Sequence, residues 1–219
     1  LYHEEHKINE FSLLQIKPMV VGGLDRIQEF DSIQKQNILC SSSIALGNGV
    51  IDNIKNIIIV DPKSFDPGKT KLIAKQIEKI NKKMVDNEKY VLIGPGRWGS
   101  ADPWLGIPVD WDQISNAKVI VEYGMESFPV DPSFGSHFFQ NVTSMRIGYF
   151  TLNHKNKSDK LDLRWLNSQS IKQKTKYIKW IQLEEPLAIT IDGQTGDGNI
   201  IKPLNPVKET MDEQETTGI

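Results

Sequence analysis

The chain has 219 residues, 38% of them apolar and 25% charged, with 26 Lys and Arg against 28 Asp and Glu for a formal net charge of −2. That composition is ordinary for a globular domain and excludes the disordered, collagen-like and coiled-coil classes, while the length sets a prior between one large domain and two small ones. No apolar run approaches the ~18 residues a membrane helix needs, so no membrane partner is expected. The single cysteine, Cys40, has no partner for an internal disulfide and fits a reducing, cytoplasmic compartment. The chain has neither an initiator Met nor a signal-peptide pattern, and its opening Leu1-Tyr2 reads as a cut through a longer polypeptide.

Residues 10–20 read as a strand closed by Pro18, which removes a ladder donor. After Gly22-Gly23, the three-residue spacing of Leu24, Ile27, Phe30 and Ile33 suggests one or two helical turns. Ser41-Ser42-Ser43 and Gly47-Asn48-Gly49 punctuate the chain, the second as a turn that permits positive φ. Residues 54–60 are rich in β-branched side chains and predict a buried strand. Asp66-Pro67 offers an N-cap followed by Pro at the first helical position, and Leu72, Ile73, Ile77, Ile80 and Met84 mark the apolar face of the helix that follows. Tyr90-Val91-Leu92-Ile93 is a second short strand, so the segment predicts a parallel crossover. Further β-type runs lie at 117–121, 146–152, 177–183 and 187–191, the last returning through Asp192-Gly193 and Gly196-Asp197-Gly198 as a hairpin with Asn199-Ile200-Ile201. The expected fold is α/β: a mixed sheet with a strand-helix-strand crossover and a C-terminal antiparallel hairpin. An α/β domain over 24–205 and an acidic, mobile tail over 206–219 complete this reading.

The stretch 94–109 is dense in Gly, Pro and Trp, and ordered loops of this kind tend to be functional. Gly94, Gly96 and Gly99 would expose backbone N–H groups next to Ser100, while Arg97 supplies a planar cationic fork, a combination suited to an oxyanion or phosphate. The same residues also describe a tight turn with Trp98 and Trp104 covering a core edge, and the sequence leaves both readings open. Gly68-Lys69-Thr70 sits where a P-loop would end, but Lys63 stands where that motif requires glycine, so Asp66 capping a helix is the plainer account. His137, in Gly135-Ser136-His137-Phe138, could present an imidazole for phosphate transfer or general-base work, or simply pack in a turn. One cysteine and no paired His spacing give no zinc site. Residues 155–179 carry eight cations against Asp159 and Asp162, near Trp165, Tyr177 and Trp180. That pattern could meet nucleic acid, but the net charge lacks a dedicated binder's basic footprint.

Phe11-Ser12-Leu13-Leu14-Gln15-Ile16-Lys17-Pro18 resembles the strand that closes the ATP-grasp domain of pyruvate phosphate dikinase and phosphoenolpyruvate synthase. The resemblance implies that residues 1–23 end an ATP-grasp nucleotide-binding domain. It further implies that Gln15 and Lys17 face the nucleotide phosphates, Lys17 standing where the family has Arg and acting as a point charge rather than a fork. Ile93-Gly94-Pro95-Gly96-Arg97-Trp98-Gly99-Ser100, with 105–109 and Ser136-His137-Phe138-Phe139-Gln140-Asn141, resembles the region that follows this module in bacterial phosphoenolpyruvate/pyruvate-binding proteins. The family's phosphohistidine string, Gly-Gly-x-Thr-Ser-His, is absent. The resemblance implies an ATP-dependent phosphotransferase that uses ATP and Mg²⁺ and acts on pyruvate or another phosphoryl acceptor. This chain would be its C-terminal part, silent alone, joined to an upstream ATP-grasp domain whose acidic metal ligand falls at or before Leu1. The other reading is a non-catalytic ligand-binding or regulatory module of a larger bacterial protein.

Overall fold

A computed structural model describes residues 37–84, 88–153 and 155–203. The predicted strand at 10–20, the helical turns at 24–36, Gln15, Lys17 and the acidic tail lie outside them. The domain is α/β, with a mixed sheet, the expected crossover and the expected C-terminal hairpin.

Two short strands, β1 (Ile38–Ser42) and β2 (Ile44–Leu46), precede the long β3 (Gly49–Val60). Asp66 then caps as its position suggests: its Oδ1 accepts from Gly68 N at 2.8 Å, a turn of 3-10 helix covers Pro67–Lys69, and α1 (Thr70–Asn81) follows. Ile73, Ile77 and Ile80 of α1 are buried, at roughly 2 kcal/mol of transfer free energy each. Leu72 departs from the predicted face and is 44% exposed. The crossover ends in β4 (Tyr90–Pro95), parallel to β3.

The stretch predicted to be irregular holds a small parallel ladder, β5 (Arg97–Trp98) on β6 (Gly106–Ile107). Strand β7 (Ala117–Tyr123) lies parallel to β4. The short α2 (Phe139–Met145) then leads to β8 (Gly148–Leu152), parallel to β7. Next come β9 (Lys160–Leu161), α3 (Leu163–Ser168) and the edge strand β10 (Ile171–Lys174). The two runs predicted at 177–183 and 187–191 form one bulged strand, β11 (Ile178–Ile191), which hairpins into β12 (Gly198–Ile201).

The sheet order is β2-β8-β7-β4-β3-β11-β12-β1-β9. Only Ser43 separates β1 from β2, and β1 pairs with β12 while β2 pairs with β8. One short segment therefore joins the two ends of the sheet and closes it into a barrel. Ala45 N donates to Gly196 O at 2.7 Å across this seam. The seam has no room for another methyl group, since a Cβ at Gly198 would lie 2.6 Å from the Phe150 ring and 2.7 Å from Ala45 Cβ.

Closure gives the parallel strands β4, β7 and β8 two buried faces and explains why they read as continuous hydrophobic runs. The lumen is filled by Leu39, Ile57, Val91, Val121, Phe150, Ile189 and their neighbours. A second core, with Ile58, Leu92, Trp98, Ile120 and Tyr149, lies between the barrel wall and α1, α2 and the intervening loops. Cys40 is in the lumen, where burial raises its thiol pKa far above the usual range.

Candidate functional site

The Gly-rich loop leaves β4 at its carboxyl end, and its backbone donors are already engaged. Gly96 N donates to Tyr123 O at 3.0 Å, Arg97 N to Leu105 O at 2.8 Å and Gly99 N to Ile107 O at 2.9 Å. Trp98 is fully buried and its indole N–H donates to Val121 O at 3.0 Å. Ser100 Oγ donates to Asp102 O at 3.2 Å. Backbone pairing thus consumes the N–H groups of the loop that were candidates for an anion nest. Gly96 and Gly99 serve conformation, at φ +69° and +82°, and the β5–β6 ladder brings the Gly106 Cα against the Arg97 carbonyl. Gly94 is buried, with no space for a Cβ beside the Trp98 ring.

Arg97 is half-buried, and its Nε donates to Asp131 O at 2.7 Å. That bond fixes the plane of the guanidinium, and its two terminal amino groups have no partner among the described residues. His137 is exposed in the 3-10 turn Ser136–Phe138, its Cβ only 2.9 Å from where a Cβ on Gly99 would lie. The fold therefore brings the 133–139 turn, which carries His137, against the Gly-rich loop, which carries Arg97.

A buried charge that no motif in the sequence marks ties these loops down. Glu122 on β7 is 2% exposed. Its Oε1 accepts from Ser133 N and Phe134 N, both at 2.9 Å, and from Thr151 Oγ1 at 3.1 Å. Its Oε2 accepts from Ser133 Oγ and Tyr149 Oη, both at 2.7 Å. A carboxylate with five donors is fully compensated for its burial, and it anchors the 131–134 segment to the sheet. Phe134 takes φ +52° there, strain that the anchor holds in place. The signal in the sequence was an acidic residue continuing the β-branched run at 117–121, just past the point where the strand was predicted to end.

The carboxyl ends of β4, β7 and β8 open onto a cleft, where parallel α/β sheets characteristically place their sites. It has two lobes that share Tyr123, Gly124, Leu152 and Asn153 as walls. The smaller, about 80 Å³, is bounded by Gly96, Glu122, Asp131 and Lys155. The larger, about 240 Å³, is bounded by Pro62, Met125, Leu161 and Leu163 and by Asp159 and Lys160. Nearby, half-buried Asp61 at the end of β3 pairs with Lys179 Nζ at 2.8 Å. Burial works to raise the Asp61 pKa, but the hydrogen bond from Lys179, the Lys63 amide and the charges of Lys179 and Lys174 outweigh it, and the net direction is down. Tyr123 titrates above the usual phenol range, first because it is buried and second because Asp61 is near. It is therefore a donor, not a base, at neutral pH.

The basic residues at 172–179 use their aromatic neighbours internally. Lys172 Nζ sits 4.2 Å from the Trp180 ring centroid and Lys176 Nζ 5.2 Å from that of Tyr177. Among the described residues no helix is long and apolar enough to cross a membrane, and no group of three or more His, Cys, Asp or Glu converges. No protein-family model, curated protein or solved structure matches the chain.

Proposed function

We propose that this domain binds a small anion, a carboxylate or phosphate, as a non-catalytic module of a larger cytoplasmic protein. The observation that carries the reading is the smaller lobe's rim. Asp131 and Lys155 line it, Arg97 is tied to Asp131 through its Nε bond to the Asp131 carbonyl, and among the described residues neither Arg97 nor Lys155 takes part in an ion pair. Against them stands one exposed carboxylate, Asp131, because Glu122 is already saturated. An Arg fork with both terminal amino groups free suits a planar or tetrahedral oxyanion. His137 lies in an exposed 3-10 turn, and among the described residues no group of three or more His, Cys, Asp or Glu converges.

The resemblance at Phe11 to Pro18 supports a wider setting, in which the parent is an ATP-dependent phosphotransferase of the pyruvate phosphate dikinase type. Gln15, Lys17 and an upstream acidic residue would hold ATP and Mg²⁺ there. In that setting the module presents or senses the acceptor while phosphoryl chemistry takes place upstream. Titration of the 219-residue chain with inorganic phosphate should shift the amides of Gly96, Asp131 and Lys155, and Arg97→Ala should weaken binding about tenfold or more. Unchanged affinity in Arg97→Ala would remove the anion site. Hydrolysis of Mg·ATP by the isolated chain would overturn the non-catalytic assignment.

A further inference from the structure

The larger lobe differs from the smaller in character, and a donor, Tyr123, stands in the wall the two share. Tyr123 shares the lumen-facing side of β7 with Val119 and Val121, so its ring enters the barrel at the open end. The residue is 7% exposed, and its hydroxyl is the one buried side-chain polar atom among the described residues with no hydrogen-bond partner. Buried hydroxyls are nearly always satisfied, because a lost water contact is otherwise not recovered. The polar groups around it are committed elsewhere: Asp61 to Lys179 and the Lys63 amide, and Asp159 to Ser43, Asn153 and Asn156.

Pro62, Met125, Leu152, Leu161 and Leu163 form the apolar part of the wall around about 240 Å³, with Gly124, Asn153, Asp159 and Lys160 completing it. A closed apolar cavity of ~150 Å³ takes benzene, and this lobe, open on one side, has volume for a ring with a short substituent against its apolar wall. We propose that the larger lobe binds a small molecule with a ring-sized apolar body and one carbonyl-type oxygen, which accepts a hydrogen bond from Tyr123 Oη. This goes beyond the anion reading and does not depend on Arg97.

Two probes of nearly the same shape, acetophenone and α-methylstyrene, differ in having C=O or C=CH₂ at the position that would meet Tyr123. Each is titrated into the 219-residue chain while the methyl resonances of Met125, Leu152, Leu161 and Leu163 are followed. Both should shift these methyls, and Tyr123→Phe should raise the acetophenone to α-methylstyrene Kd ratio about tenfold. Any general loosening of the lobe cancels in that ratio. Leu163→Phe, which fills the cavity and leaves Tyr123 intact, should abolish the shifts from both probes, and it keeps the test open if Tyr123→Phe does not fold. Absence of methyl shifts, a ratio unchanged by Tyr123→Phe, or binding that survives Leu163→Phe would each overturn the proposal. Phosphate shifts at Gly96 and Asp131 report the anion rim separately, so either site can fail while the other stands.

Discussion

Glu122 offers the sharpest test of how the loops at the cleft are held, because its two oxygens have different partners. Glu122→Ala removes the acceptor for two backbone amides, Ser133 and Phe134, which have no alternative role, and for three hydroxyls. The hydroxyls can partly recover, since Ser133 Oγ and Tyr149 Oη already lie 3.2 Å apart. The two amides cannot, and at about 1–3 kcal/mol for each buried donor left unmade the loss comes to about 4 kcal/mol once the cavity is included. Glu122→Gln should behave differently. The amide can keep its oxygen at the Oε1 position, facing the two N–H groups, and turn its NH₂ towards Ser133 Oγ and Tyr149 Oη, which accept as readily as they donate. The expected cost is about 1 kcal/mol. Urea unfolding measures both values, and hydrogen exchange at the Ser133 and Phe134 amides reports the anchor directly: protection should collapse in the Ala variant and persist in the Gln variant. If Glu122→Ala lies within 1 kcal/mol of the parent chain, or if Gln costs as much as Ala, the anchoring argument fails.

Asp61 makes stability depend on pH. Its folded pKa is depressed, so its stabilisation is present above the ordinary carboxylate value of ~3.9 and is lost as pH falls through the lower folded value. Lys179→Met should therefore be less stable than the parent chain at pH 7, with the gap closing below about pH 4; a gap constant down to pH 2 would show that Asp61 and Lys179 are not coupled. The barrel seam should be equally sensitive to volume. Gly198→Ala is expected to cost about 1–3 kcal/mol by crowding Phe150 and Ala45, and Ala45→Gly in the same chain should recover part of that loss. Additive losses in the double variant, read from urea midpoints, would show that the two residues do not meet.

The local rules that hold without tertiary context made much of the α/β framework legible. Asp66 before Pro67 announced a helix start, because a cap and a fixed φ act within one turn. The β-branched runs at 54–60 and 90–93, separated by an amphipathic helix, announced a parallel crossover, because a chain of that length has few other ways to bring two buried strands together. The short strands were not legible. β1, β2, β9 and β10 are each two to five residues long and draw their stability from the neighbours they pair with rather than from their own composition.

Barrel closure was decided only by the tertiary structure, for the same reason. Nothing in Ile38–Leu46 specifies that its first half pairs with β12 and its second with β8, since those partners lie more than a hundred residues downstream. The candidate site divided along the same line. The sequence marked Arg97 and the Gly-rich loop by composition, but whether a glycine N–H faces a ligand or a carbonyl depends on what the fold places opposite, and here β6 and β7 supply the carbonyls. Glu122 and Tyr123, adjacent in sequence, face opposite sides of one strand: one is saturated by a loop and the other is left with a free donor in the barrel mouth. Side-chain alternation along a strand sets that opposition locally, while which side is satisfied is a property of the closed barrel alone.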